Sequence, residues 1–118
     1  MAHYAFLDEN NLVTEVIVGK DETELIDGLS PETWYGQFRG QTCKRTSYNN
    51  KIRKQYASVG YRYDFDADVF ISPQPFSSWV LNNDYDWQPP IPYPLEGHWC
   101  WDEESMSWKE STLLFGFP

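Results

Sequence analysis

Few residues of this chain could do chemistry near neutral pH. His3 and His98 are its only imidazoles, and Cys43 and Cys100 its only thiols. His98 and Cys100 flank Trp99, so on a strand they share a face and could act as a Cys–His pair. No third group accompanies them to orient the imidazole. Asp64, Asp66 and Asp68 open like an EF-hand calcium loop, but the sixth and twelfth places, which need glycine and glutamate, hold Val69 and Pro75. Both this run and Asp102-Glu103-Glu104 read as solvated turns. Glycine-rich phosphate loops, zinc spacings and serine elbows are absent from the sequence. The residues therefore predict no enzyme, no catalytic residue, no metal and no cofactor.

Binding chemistry is better represented. One short pattern is written three times: Tyr61-Arg62-Tyr63-Asp64 then Phe70, Trp79-Val80-Leu81-Asn82 then Trp87, and Trp99-Cys100-Trp101-Asp102 then Trp108. In each copy large side chains alternate, an Asp or Asn follows, a polar turn intervenes and an aromatic residue closes the unit. That pattern predicts three hairpins, pairing 60–64 with 69–71, 78–82 with 86–88 and 98–102 with 107–109. The second copy is one residue shorter, so its turn must differ. Proline-rich connectors at 73–75 and 89–94 separate the units, and proline, lacking an amide proton, keeps these segments out of any central strand. Trp79, Trp87, Trp99, Trp101 and Trp108 would form a contact surface. Flat rings beside acidic turns also suit pyranose faces, so a glycan partner is possible.

The elements before the repeat place a second kind of contact. Tyr4-Ala5-Phe6-Leu7 and 12–18 read as a first hairpin about an Asp8-Glu9-Asn10-Asn11 turn. Asp21 and Glu24 have capping-box spacing and predict a short helix over 22–26, before Gly28. Ser30-Pro31-Glu32 predicts another over 31–38, with Trp34, Tyr35 and Phe38 facing a core. Residues 42–48 and 52–57 read as a basic strand pair joined by Asn49-Asn50-Lys51. Lys44, Arg45, Arg53 and Lys54 lie here among Tyr48, Tyr56 and Tyr61, a mixture that could bind single-stranded nucleic acid. The charge of the whole chain argues against that.

Eighteen acids against nine Lys and Arg leave a formal charge of −9, distributed acidic, basic, acidic. Such a balance disfavours nucleic-acid and anionic-membrane binding, and the basic block either pairs within the fold or against another subunit or is a solvated loop. Apolar residues make up 41% and aromatics 18%, so the core must rest on rings that carry polar ends. Six Trp are hard to enclose in 118 residues, which leaves aromatic surface for a partner or a second copy. Two cysteines with no C-x-x-C spacing suggest free buried thiols more than one disulfide. No long apolar run or basic leader occurs, which predicts a soluble protein without a cleaved export signal or membrane span. The apolar end, with Leu113, Leu114, Phe115 and Phe117, reads as a docking tail.

The fold expected is mainly β with a minor α+β character, successive hairpins in a meander with one or two short helices and proline-rich connectors. It forms a single domain, 1–118, in which 1–58 hold the first hairpin, helices and basic pair, 59–110 the aromatic hairpins and 111–118 the tail. The opening Met1-Ala2-His3-Tyr4-Ala5-Phe6-Leu7-Asp8, the run Lys44-Arg45-Thr46-Ser47-Tyr48-Asn49, the stretch from Arg53 to Asp64, Phe70-Ile71-Ser72-Pro73-Gln74-Pro75, Ser78-Trp79-Val80-Leu81-Asn82 and Trp101-Asp102-Glu103-Glu104 resemble a group of small proteins of tailed phages of aquatic bacteria, the T4-like cyanophage type. The chain departs from that pattern in a shorter loop between Tyr48 and Arg53, in Ser77 where proline is common, and in residues beyond Trp108. The resemblance implies a phage protein made in the host cytoplasm and carried in the virion, with no family catalytic residue. Combined with the aromatic hairpins, it predicts a non-enzymatic structural or accessory protein, a capsid decoration or a tail or neck component. Its partners would be other virion proteins or copies of itself. A glycan-binding module and an acidic DNA-mimic inhibitor are the alternatives.

Overall fold

The computed structural model describes residues 2–111. It is mainly β, in small antiparallel sheets with one helix, as the sequence predicts. Contacts divide the chain into two compact units, with the boundary between Pro73 and Gln74.

The first unit is built around β1 (Ala2–Leu7), the middle strand of a sheet ordered β2-β1-β3. β2 (Val13–Gly19) and β3 (Thr42–Thr46) both pair with it antiparallel. A strand in that position is covered on both faces, which is why its sequence is almost continuously apolar instead of alternating. Ala5 and Leu7 join Val13, Ala57, Tyr63 and Phe70 on one face, whereas Ala2, Tyr4 and Phe6 join Cys43 on the other. Full burial of side chains such as Tyr4, Phe6, Leu7, Phe70 and Ile71 contributes about 1.5–3 kcal/mol each. The repeat's first hairpin, β4 (Arg62–Asp64) with β5 (Val69–Ile71), thus lays Tyr63 and Phe70 on the N-terminal sheet.

One helix, α1 (Pro31–Arg39), begins where the sequence places it: the Ser30 hydroxyl accepts from the Thr33 N–H, Pro31 opens the first turn, and Gly40 closes the helix at φ 69°. Tyr35 packs on Tyr4, and Gly19 is required beneath it, because a Cβ there would stand 2.8 Å from the ring. Phe38, expected in a core, is 72% exposed and stacks on Trp34 alone, since the sheet is reached only by the Tyr35 side of so short a helix. The helix expected over 22–26 does not form. Asp27-Gly28, at φ 52° and 82°, makes a two-residue turn in which Ile26 and Leu29 exchange both backbone bonds, and Asp21 caps only a local turn at Thr23.

The strand expected over 52–57 is also replaced. Arg53 and Lys54 are both left-handed, at φ 51° and 72°, a conformation that non-glycine residues adopt at a cost of about 1–2 kcal/mol each. The reward is visible at Arg53. Its carbonyl accepts from the Phe70 N–H at 3.1 Å, and its guanidinium reaches the Glu32 carboxylate at 2.8 Å, the Arg45 carbonyl at 2.8 Å and Asp68 at 2.7 Å. Glu32 in turn accepts from the Arg45 N–H at 2.5 Å. The ion pair therefore satisfies both outward backbone groups of Arg45 and stands where the peptide groups of a fourth strand would be. β3, left without the partner expected for it, is capped by side chains.

Four hairpin turns share one chemistry. Asp8, Asp64, Asn82 and Asp102 each stand before the turn and accept backbone N–H bonds with the side chain. A left-handed residue then precedes the return strand: Asn11, Asp68, Tyr85 and Met106. The Asp8 and Asn82 turns are the same turn, each with the left-handed residue three positions on and side-chain bonds to the second and fourth amides. Asp64 and Asp102 use four positions. The repeat thus includes the N-terminal hairpin, and the shorter second copy differs from its neighbours as its length requires.

Burial pushes the Tyr63 phenol up to about 12, helped by its bond to Asp68, and burial pushes Tyr4 up to about 12, helped by Glu22. Raised folded values mean that their stabilisation is complete below the ordinary value of 10 and is lost as pH rises through 12. In a spectrophotometric alkaline titration these two phenols should ionise last, together with loss of near-UV circular dichroism. Arg53→Met should cost about 3 kcal/mol in urea unfolding, because it leaves Glu32 half-enclosed and unpaired. Arg39→Met, which breaks the exposed pair with Glu15, should cost no more than about 1 kcal/mol.

Candidate functional site

The second unit holds two short hairpins, β6 (Val80–Leu81) with β7 (Trp87–Gln88) and β8 (Trp99–Asp102) with β9 (Ser107–Glu110). Trp101 and Trp108 are direct cross-strand partners, with ring centroids 5.2 Å apart. Trp79 meets Trp101 at 6.0 Å and 85°, and Trp108 at 6.3 Å and 64°. Phe76 and Tyr93 extend the group, against Trp79 and Trp108. The rings are edge to face, the arrangement their quadrupoles favour, and each such pair contributes about 0.5–1.5 kcal/mol beyond burial.

The polar ends are tied to backbone and carboxylate. Trp108 donates its indole N–H to the Ile91 carbonyl at 2.8 Å, and Trp99 to Glu96 at 2.7 Å. The Tyr93 hydroxyl accepts from the Trp99 N–H at 3.0 Å. The proline-rich connector, poor in amide donors, thereby serves the third hairpin with the Ile91 carbonyl and the Tyr93 ring. Glu103 receives the Trp101 indole N–H at 2.8 Å, the Ser78 hydroxyl at 2.6 Å and the Ser78 N–H at 3.0 Å. Those bonds, Ser78 first, hold its carboxyl below the ordinary 4.5. The Trp79 indole nitrogen is enclosed and has no partner among the described residues.

The structure brings Trp79, Trp101 and Trp108 into one cluster. Trp99 closes its own turn over Gly97, and Trp87 pairs along the second hairpin. All five are half-buried. Phe76, Tyr93, Ile91 and Ser78 belong to the same surface and were not assigned to it by the sequence reading, the prolines around Ile91 and Tyr93 hiding them in a connector; Glu103, expected in a solvated turn, is half-buried and bonded to Ser78 and Trp101. Val80, Leu95 and Met106 of the same unit are exposed, Leu95 completely. Leu113, Leu114, Phe115 and Phe117 lie outside the described residues.

The basic residues sit in the first unit and pair within it. Lys44 lies over the Tyr63 and Phe65 rings at 5.6 and 5.3 Å, Arg45 faces Glu22 at 3.6 Å and Arg53 is held as described. Lys54 is half-buried, whereas Lys51 and Arg62 are exposed. A cleft of about 350 Å³ opens beside the network, with Tyr4, Glu22, Glu32, Arg45 and Arg53 in its wall, and these charges already compensate one another. Among the described residues no group of three His, Cys, Asp or Glu is placed to hold a metal ion, and no helix is long and apolar enough to cross a membrane. Both thiols are free: Cys43 is buried and pushed up to about 12 by that burial, while Cys100, expected to be buried, is exposed because a two-stranded sheet covers only one of its faces. His98 is exposed.

No family model, curated protein or solved structure matches the chain.

Because the Glu103 carboxyl is lowered in the fold, its contribution is present above 4.5 and is lost as pH falls through the folded value. Tryptophan emission should therefore change as pH falls below 4.5, before the circular dichroism of the first unit does. Glu103→Gln should abolish that early step.

Proposed function

We propose that the chain is a non-enzymatic accessory of a tailed-phage virion, a capsid decoration or a tail or neck component, that attaches to a larger assembly through its aromatic hairpins. One observation carries this reading. The buried apolar side chains of the described residues, from Ala2 to Ile71, all belong to the first unit, whereas the Trp cluster of the second stays half-open. A unit that builds five rings into a cluster and closes none of them, and that also exposes Val80, Leu95 and Met106, has the composition of an interface core: aromatic, methionine-bearing and poor in cations. The phage assignment rests on the resemblance carried by the opening octapeptide and the Arg53–Asp64 stretch.

The ring geometry supports a protein partner over a sugar. Stacking on pyranose faces favours coplanar rings, and the Trp trio is held at 64° to 85°. Such a corrugated surface suits the side chains of another protein. The acidic charge and exposed Lys51 and Arg62 would set which partner surface is met, more through association rate and specificity than through affinity.

The test is cosedimentation with purified particles. The protein should band with virions, and Val80→Glu with Leu95→Glu should release it while leaving the near-UV circular dichroism unchanged. Absence of the wild-type protein from virions would overturn the reading.

A further inference from the structure

We propose that the chain forms a two-fold dimer by antiparallel pairing of its β2 edges, with Val16 of each copy opposite Val18 of the other. The inference concerns the first unit and does not rest on the function proposed above.

The sheet β2-β1-β3 has two edges, and they are treated differently. The β3 edge is closed. Glu32 and Arg53 take the outward N–H and carbonyl of Arg45, Thr46 Oγ1 accepts from the Ala57 N–H at 2.8 Å, and Gly36 lets the helix close on Gln41 and Cys43. The β2 edge is covered only at its start, where Val13 bonds to Tyr61 and Gly60 at 2.8 and 2.9 Å. The turn from Ser58 to Tyr61 then carries the chain away.

Beyond Val13, strand alternation fixes which groups point out. Arg45 bonds outward, so its partner Tyr4 bonds to the other side, toward Ile17. Ile17 therefore faces inward with its backbone, and Val16 and Val18 present theirs at the edge. Among the described residues no group bonds to these outward N–H and carbonyl groups. One edge-blocking device is present, a bulge at Thr14 near the start of β2; beyond it Val13–Gly19 contains no proline and no lysine, and its single charge, Glu15, is drawn to Arg39. The Val18 side chain is 56% exposed.

A second copy fits this edge in one register without conflict. With Ile17 on the axis, each of the two Val16–Val18 pairs exchanges two hydrogen bonds. Glu15 then faces Gly19, and Thr14 faces Lys20, so no like charges oppose. Self-complementarity of this kind is what a two-fold interface demands. The contact is short and each copy carries −9, so the dimer is weak and strengthened by salt, which screens the repulsion.

Sedimentation velocity of the full chain over a wide concentration series tests this. The expected result is a shift from one-chain to two-chain mass as concentration rises, larger at high salt. Val18→Lys should hold the protein at one-chain mass with unchanged near-UV circular dichroism. In a Cys100→Ser background, Ile17→Cys should give a disulfide-linked dimer under mild oxidation, since the axis brings the two residues into a non-hydrogen-bonded pair, and Val18→Cys should not. One-chain mass at every concentration, or a Val18→Lys protein that dimerises like wild type, would overturn the proposal. If Val18→Lys loses its folded spectrum, the position-17 cross-link decides: its formation supports the register and its absence refutes it.

Discussion

The guanidinium of Arg53 is the constraint on which the first unit depends. A planar cation with donors in a fixed fork can satisfy a helix carboxylate, a strand carbonyl and a hairpin carboxylate at once, a geometry unavailable to lysine. It joins Glu32 of α1, Arg45 of β3 and Asp68 of the β4–β5 turn, while the carbonyl of the same residue holds Phe70. The left-handed backbone at Arg53 and Lys54 is the strain that aims these groups. Around that point the aromatic core closes: Tyr63 lies under the guanidinium, and Tyr63 and Phe70 cover the sheet.

The second unit follows a different rule. Its strands are two to four residues long, the proline-rich connector offers few amide donors, and the rings pack on one another edge to face. Two-stranded hairpins of this size are marginal in water, so ring contacts and the Glu103 bonds must supply what ladders cannot. A cluster so arranged is stable enough to preorganise a surface and too shallow to close over it. Preorganised aromatic surface with little ordering left to do is well suited to binding.

Hairpins were the most legible feature of the sequence, because alternation around Asp or Asn turns is a local signal. The Ser30-Pro31-Glu32 cap was equally plain. What could not be read was non-local. The fate of residues 52–57 is decided by where the Arg53 side chain finds carboxylates, and Glu32 and Asp68 are 21 and 15 residues away. The Asp27-Gly28 turn was legible in principle, as that dipeptide marks a two-residue turn, but the capping spacing at Asp21 competed with it. At the aromatic surface the Trp residues announced themselves, whereas Ile91 and Tyr93 were masked by prolines. Glu103, between two other acids, looked solvated until Ser78 stood beside it.

The central claim is that the first unit is held by its own core, whereas the second presents a half-open aromatic surface that we propose a partner completes. Residue-resolved hydrogen exchange tests it most directly, comparing the isolated protein with the protein on purified particles. The account predicts slow exchange of β1 amides in both states, and fast exchange in β8 and β9 that slows markedly on the particle. Amides of β8 and β9 as protected as those of β1 in the isolated protein, and unchanged on the particle, would contradict it.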